Sequence, residues 1–522
     1  MDRIALVTLL GKMVAEELGI AILTEILREN GYEVDVYHFR TEQEMEEILL
    51  KNEYKVICFN AYHVNIDSIS KVSHMVKEMN NSHIVLGGHF ATDNYEEILI
   101  RNVDVDYIII GEAEETIVEL MQYIVNDLGQ IEDINGIAYR DGRIVKCTRP
   151  RMPIENLDTI PFACREIATK SRLNLVYIEG SRGCTGACAF CSNGKIPYRE
   201  KSICRIIDEI KYIIQKYNLN TFAFSDCSWD NPNNNLTRVT AFCNKLLQEK
   251  IHAHFFMFFK SPIVRIATDK FWNMLIDSGV FTVFIGIESF VETELHLFSK
   301  KATVEDNINI MEKLQEYKYL IHLQIGFIFF HPYSTIENMK INNFYLYKYK
   351  NAVYFQQLNN MQIYNNTKMF EITKNDGLYK GNGFNFSSYD FADKRVKNLY
   401  EYVRKEFSKV EKTKFLDEIN NYFRNYYDFL LIQMRRHIWQ NDVEKQKVVK
   451  NCLDDMFELM ESVNEKSYII FDKLLELAIG DWNPQKADQI IEENLDSKEM
   501  QKIITQIRLN RMKYTRNMIN KK

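Results

Sequence analysis

Cys184, Cys188 and Cys191 fall in the run SRGCTGACAFC, a C-x3-C-x2-C spacing on one short loop. Three thiolates held this way can ligate three irons of a cubane iron-sulfur cluster, which ordinarily takes four cysteines. The fourth iron is then open. An open iron can bind the amino and carboxylate groups of S-adenosylmethionine (SAM), and an electron passed to the sulfonium cleaves it to a carbon radical. A structural zinc knuckle is the competing use of such cysteines, but zinc needs a fourth Cys or His close by. The next cysteine, Cys204, stands in the first turns of a predicted helix, and no histidine lies between.

Leading into this loop, Asn174 to Glu179 (NLVYIE) has the β-branched and aromatic content of a strand. The cysteine spacing, the preceding Gly183 and the aromatic Phe190 just before the third cysteine resemble the radical SAM superfamily. That resemblance implies a 4Fe-4S cluster on Cys184, Cys188 and Cys191, on a loop after the first strand of a partial (β/α)6 barrel, with Phe190 near the adenine. Six strand-like runs alternate with amphipathic stretches here: Asn174 to Glu179, Thr221 to Ser225, Ala253 to Phe258, Thr282 to Ile287, Ile321 to Phe329 and Ala352 to Gln356. Thr268, Thr303 and Ser334 are capping candidates for the helices between them.

In parallel barrels the chemistry sits at the carboxyl ends of the strands. By resemblance, Asp226 in FSDCSWD faces the amino group or ribose of SAM, and Glu288 in IGIESF accepts ribose hydroxyls while Gly286 permits close backbone approach. Gln324 and Pro332, in and after the fifth strand, complete the SAM set, with His331 of similar standing to Gln324. Tyr364 to Thr367 (YNNT) stand where many relatives carry a Pro-Gly turn.

Upstream, IALVTLL, EVDVYHF, YKVICFN, HIVLGG and VDYIIIGE alternate with amphipathic segments, the first reading as a helix from Ala15 to Asn30. This pattern is that of a doubly wound, Rossmann-like parallel sheet, whose ligand lies at the strand ends. No G-x-G-x-x-G follows the first strand, which disfavours a dinucleotide. GGHFATDNYEEIL and VDYIIIGEAEETIVEL resemble instead the cobalamin-binding domain found upstream of many radical SAM enzymes. The implied cobalamin contacts are Thr8, Gly11, Asn60, Gly87, Gly88, His89, Gly111 and Glu112. Cobalamin mutases place a histidine beneath cobalt through D-x-H-x-x-G after the first strand, whereas the earliest histidine here is His38. The expected lower face of the corrin is therefore water or nothing, with His63 and His89 as the alternatives.

The expected organisation is a cobalamin-binding domain over 1–130, a linker over 131–170, the radical SAM barrel over 171–385 and a mostly helical domain over 386–522 that could bind substrate. Gly136 and Gly142 bracket a hairpin in the linker, with Asp141-Gly142 as its turn, and Pro150, Pro153 and Pro161 keep the following chain extended. The helical domain is rich in Tyr, Phe, Lys and Glu, and ends in Lys513, Arg516, Lys521 and Lys522, a solvated basic tail. The chain has 522 residues, 46% hydrophobic and 26% charged, with a net charge of -7 that disfavours generic nucleic-acid binding. The opening apolar run is too short to span a bilayer and lacks a cleavage pattern, and no later run reaches spanning length, so no membrane partner is expected. A cluster motif among ten cysteines points to the reducing cytoplasm, the other seven being read as buried thiols.

The resemblance implies an enzyme using the 4Fe-4S cluster, SAM and cobalamin, fed by an electron donor such as flavodoxin or ferredoxin. It acts on a small molecule or peptide, foremost as a C-methyltransferase in natural-product biosynthesis. Cyclisation, oxidation or rearrangement without methyl transfer is the alternative, and a non-catalytic corrinoid or electron-transfer module a third. The cofactors carry the bond changes, so no side chain is named as a catalytic acid or base.

Overall fold

The computed structural model describes residues 3–9, 16–49, 51–170, 175–231, 236–381 and 388–519. The chain divides into two compact units, one made chiefly of Met1–Gly183 and Pro197–Ser225, the other of Cys184–Ile196, Asp226–Gly381 and the C-terminal helices.

The first unit is built on a seven-stranded sheet of β1 (Ile4–Leu9), β2 (Val34–Phe39), β3 (Val56–Asn60), β4 (His83–Gly87), β5 (Tyr107–Ile109), β6 (Ile137–Asp141) and β7 (Ile144–Cys147). Its order is β2-β1-β3-β4-β5-β6-β7. The neighbours among β1 to β5 run parallel, and β6 and β7 antiparallel. Every residue of β1 is buried, as continuous apolar runs in a parallel sheet covered on both faces require. Helices α1 (Leu18–Glu29), α2 (Glu42–Leu49), α3 (Ile66–Asn80), α4 (His89–Arg101) and α5 (Thr116–Asn126) follow the strands in turn. The order reverses between β1 and β3, which opens a crevice at their carboxyl ends. The hairpin expected between Gly136 and Gly142 is β6 and β7, and it extends this sheet.

The same unit holds β8 (Leu175–Ile178), parallel to β11 (Thr221–Phe224), and the short antiparallel pair β9 (Ser181–Arg182) and β10 (Arg199–Glu200). Helix Ile203–Tyr217 connects β10 to β11, opened by Ser202, whose hydroxyl accepts the Arg205 N–H.

In the second unit β12 (His254–Lys260), β13 (Val280–Glu288) and β14 (His322–Phe327) lie parallel in sequence order. The strand expected at Ala352 to Gln356 is a series of turns instead. The reason is local. Asn464 and Ser467, on the 37-residue helix Val443–Ile479, accept the Ala352 and Tyr354 N–H groups that a ladder would have used, and Lys350 and Tyr354 adopt positive φ. Thr303 caps its helix as expected and forms a capping box with Asp306, Thr268 stands at an N-cap without a side-chain bond, and the cap expected at Ser334 belongs to Thr335. Beyond 388 the chain is helical, with a π-turn at Asn421–Tyr426. No described helix is long and apolar enough to cross a membrane. Of the seven cysteines outside the motif, Cys58, Cys164, Cys243 and Cys452 are buried, but Cys147 and Cys204 are exposed. Cys204 is on the outer face of the helix that Ser202 opens, which a helical period alone does not settle.

Candidate functional site

The cysteine loop is pinned at its middle by backbone. Ala189 N–H donates to Phe298 O (2.8 Å), and its carbonyl accepts the Met369 N–H (2.8 Å). The Phe190 ring meets Phe298 edge-on at 5.8 Å, and Phe298 in turn packs on His331. Cys184 Sγ accepts the Gly186 N–H at 3.2 Å. A Cβ on Gly194 would lie 2.9 Å from the Gly186 carbonyl, so the loop closes on itself through glycine. Burial pushes the Cys188 and Cys191 thiols up, opposed at Cys188 by Lys300 and reinforced at both by the neighbouring motif sulfurs. Among the described residues no three His, Cys, Asp or Glu side chains converge closely enough for one metal ion. Three thiols spread over a loop fit a polynuclear cluster, in which each binds a different iron, better than a zinc tetrahedron.

Beside this loop lies the carboxyl end of β13. Gly286 is in register with Gly326 on β14, and the pairing shifts between Gly286 and Glu288. Glu288 sits at φ 63°, a conformation costing a non-glycine residue about 1–3 kcal/mol and common at functional sites. Its carboxylate lies above both glycines: a Cβ on Gly286 would approach Glu288 Oε1 to 2.6 Å, and one on Gly326 would approach Oε2 to 3.5 Å. Lys300 Nζ holds it from the other side at 3.2 Å and donates to the Gly286 carbonyl at 3.0 Å. Burial works against charge on Lys300, yet Glu288 and the Cys188 and Cys191 sulfurs outweigh it and raise its pKa. The result is a glycine-floored pocket with a fixed carboxylate and ammonium next to the thiol loop. Its donor set fits a SAM whose amino acid end reaches the cluster and whose hydroxyls need an acceptor.

The structure brings Phe190, Gly286 and Glu288 to this pocket, along with Tyr364, the first residue of YNNT, and with Lys300 and Cys227, which the sequence reading did not single out. Tyr364 and Cys227 both interact with the Cys191 sulfur, and burial together with Cys184 and Cys191 pushes the Cys227 thiol up to about 12. Three expected contacts lie differently. Asp226 is buried against Arg238 (3.3 Å), whose guanidinium stacks over Trp229, so its carboxylate is committed to an internal pair. Gln324 contacts Asp428 and His322. His331 Nε2 lies 3.2 Å from Glu294, a buried pair beneath Phe298. Pro332 makes a turn whose carbonyl accepts the Ala392 N–H.

In the first unit, the expected cobalamin residues gather at the strand ends. Asn60 and Gly87 are register partners on β3 and β4. Gly88 opens α4 at φ 97°, and a Cβ there would strike Asn60 Oδ1. Asn60 Nδ2 donates to Glu17 (2.8 Å), as does the Tyr62 hydroxyl (2.7 Å), and burial raises the Glu17 carboxyl against both bonds. Asn65 ties Leu9 O to Asn60 O across the crevice. A cleft of about 680 Å3 lies on the β1 and β2 side of these strand ends, lined by Leu9, Arg40, Glu46 and Asn65 among others and by none of the expected cobalamin residues; its volume is within the range of small-molecule sites. At the end of β1 the Thr8 hydroxyl is buried with no partner among the described residues. The orphaned Thr8 hydroxyl and the glycine turn at Gly87 and Gly88 fit a polar ligand at the strand ends. Gly11 lies outside the described residues. His63 and His89 are exposed. Gly111, at φ 81°, donates its N–H to Thr92 Oγ1.

Glu112 is otherwise engaged than expected. Its carboxylate accepts from Arg199 (2.7 Å) and from the Ile154 N–H (2.8 Å), with Arg182 at 3.4 Å; these partners outweigh its burial and lower its pKa. Arg182, two positions before Cys184, also binds Glu114 and Glu179. The chain of charges continues through Lys201 and Glu209 to Arg165, fully buried, which reaches Glu16 at 2.6 Å.

Fold and site together define an enzyme class that couples an iron-sulfur SAM site to a corrinoid-type α/β domain. A family profile described as B12 binding domain matches residues 5–121, and one described as Radical SAM superfamily matches 178–341. The chain thus carries a B12-binding domain followed by a radical SAM domain. It is 22% identical over 488 residues to an anaerobic magnesium-protoporphyrin IX monomethyl ester cyclase of Rubrivivax gelatinosus, covering 89% of this chain and 81% of that one. It is 24% identical over 337 residues to an uncharacterized methyltransferase of Pyrococcus horikoshii, covering 62% of this chain and 71% of that one. A hopanoid C-3 methylase of Methylococcus capsulatus aligns at 21% over 314 residues, 57% of this chain and 58% of that one. Among solved structures, the cobalamin-dependent SAM radical enzyme OxsB with aqua-cobalamin and SAM bound has the same fold at a TM-score of 0.70 and 18% identity, over 100% of this chain and 80% of that one. The radical SAM methyltransferase TsrM from Kitasatospora setae has a TM-score of 0.59 at 14% identity, over 72% of this chain and 77% of that one.

Proposed function

We propose that this protein is a cytoplasmic, cobalamin-dependent radical C-methyltransferase acting on an unactivated carbon of a small molecule or peptide in natural-product biosynthesis. The carrying observation is the joining, in one chain, of a B12-binding domain to a three-cysteine loop beside the Glu288 and Lys300 pocket. When bound, the cluster and SAM supply a 5'-deoxyadenosyl radical, and cobalamin supplies the methyl group. Cys184, Cys188 and Cys191 hold the cluster. Phe190, Gly286, Glu288 and Pro332 bind SAM, with Lys300 fixing the Glu288 carboxylate over Gly286. Thr8, Asn60, Gly87, Gly88 and Gly111 receive cobalamin at the strand ends. The protein's contribution is to position the reactants and exclude water. Electrons come from a flavodoxin or ferredoxin. Relatives named as methyltransferases and methylase support methyl transfer.

A second reading, ring formation without methyl transfer, is favoured by the 488-residue alignment with the cyclase. Anaerobic turnover with SAM and candidate substrates separates the two. Methyl transfer requires S-adenosylhomocysteine to accumulate alongside 5'-deoxyadenosine. Formation of 5'-deoxyadenosine alone would end the methyltransferase reading.

A further inference from the structure

Within the second unit a cavity of about 80 Å3 lies beside β14, where the segment 352–356 fails to form a strand. Its lining includes His322, Gln324, Phe355, Arg424 and Tyr427. Arg424 belongs to the π-turn Asn421–Tyr426, a distortion often found at functional sites. Its guanidinium rests over the Phe355 ring at 4.8 Å. Among the described residues, no carboxylate or carbonyl reaches ion-pair or hydrogen-bond distance of that guanidinium. The nearby carboxylate of Asp428 is spent on Thr282 (2.6 Å), His322 (2.6 Å) and Gln324 (3.4 Å). Two lysines of the lining are also engaged: Lys350 pairs with Glu461, and the Lys318 ammonium lies over Tyr319 and Phe457. Burial lowers the Arg424 pKa, opposed only by Asp428.

Arg424 is half-buried at this cavity, and a planar fork of donors with no acceptor among the described residues matches the oxygens of a carboxylate or phosphate. The cavity has room for more than one water-sized group. That accommodates a small oxyanion. We infer that this cavity is a binding site for a small oxyanion, the carboxylate or phosphate group of a metabolite, held by Arg424 with the Gln324 amide beside it. The site needs no bound cofactor, so it stands or falls independently of the proposed methyl transfer.

The test uses the full chain, titrated with sodium phosphate and with sodium acetate at constant ionic strength, following thermal unfolding and the heat of binding. Wild type is expected to bind at least one of the two anions and to unfold at higher temperature in its presence. Arg424→Met removes the guanidinium of a half-buried side chain while keeping an unbranched chain over Phe355, so its unfolding temperature in chloride buffer is expected to stay close to that of wild type. It should bind the anion about tenfold more weakly or worse, with Arg424→Lys between. A response to phosphate alone identifies a phosphate site, and a response to acetate a carboxylate site. No response to either anion, an undiminished response in Arg424→Met, or a loss of stability in that variant without anions would each overturn the inference.

Discussion

Replacing Gly286 with Ala isolates the pocket from the fold. The new Cβ would stand 2.6 Å from Glu288 Oε1 and 3.1 Å from Lys300 Nζ, while the backbone at 286 has no positive φ to resist alanine. Both atoms are the far ends of flexible side chains, so the chain relaxes by moving them. Ordinary contact begins near 3.4 Å, so the carboxylate must retreat by about 0.8 Å, and misplacement on the order of 1 Å can cost about 100-fold in rate. Thermal unfolding should therefore shift by no more than about 2 °C, corresponding to less than about 1 kcal/mol. The rate of reductive formation of 5'-deoxyadenosine should fall roughly 10- to 100-fold, with weaker SAM binding by calorimetry. Gly19→Ala, in α1 with nothing within 4 Å of its Cβ, is the control and should change neither. Unaltered SAM affinity together with an unaltered rate in Gly286→Ala would refute the assignment of this pocket to SAM.

Two further substitutions probe the first unit. Arg165→Met strands Glu16 and leaves Glu209 with Lys201 at 3.6 Å, which should cost about 3–5 kcal/mol and lower the unfolding temperature by roughly 10 °C. Burial already raises the folded-state pKa of Glu16 above its usual value, with Arg165 opposing. A group raised in the folded state favours folding below its unfolded pKa and loses that contribution as pH rises through the folded one. The deficit of Arg165→Met should accordingly shrink as pH falls from about 8 towards about 5, and a deficit independent of pH would mean that Glu16 is not the stranded charge. Gly88→Ala places a side chain at φ 97° against Asn60 and should reduce corrin bound after reconstitution by about tenfold while leaving iron content unchanged. Full corrin loading of that variant would remove the strand ends of β3 and β4 from the cobalamin site.

Much of this was legible because the informative signals are local. The β1 to β5 strands are apolar runs buried by both helical layers, and burial on both faces leaves a contiguous signature. The cysteine loop and the Gly87-Gly88 and Gly111 turns need particular residue types at particular spacings, which a single chain displays. What the sequence did not display depended on partners that only the fold supplies. Ala352 to Gln356 has strand composition, but Asn464 and Ser467, more than a hundred positions on, take its donors. Asp226 and Glu112 are acids in the right loops whose charges are answered by Arg238 and Arg199. Lys300 gives no sign in sequence of its role, since only the β13 bend at Glu288 brings its ammonium over Gly286. Arg424 is likewise ordinary in sequence and distinguished only by having no carboxylate or carbonyl within hydrogen-bond distance among the described residues.

The account rests most directly on three cysteines that leave one iron of a cubane open to SAM. Anaerobically reconstituted protein, reduced and followed by electron paramagnetic resonance as SAM is added, is the decisive measurement. About four irons per chain, a signal that shifts on SAM addition, and loss of that signal in Cys184→Ala, Cys188→Ala and Cys191→Ala are expected. A cluster that persists with unchanged spectrum after any one of those replacements, or whose signal ignores SAM, would contradict it.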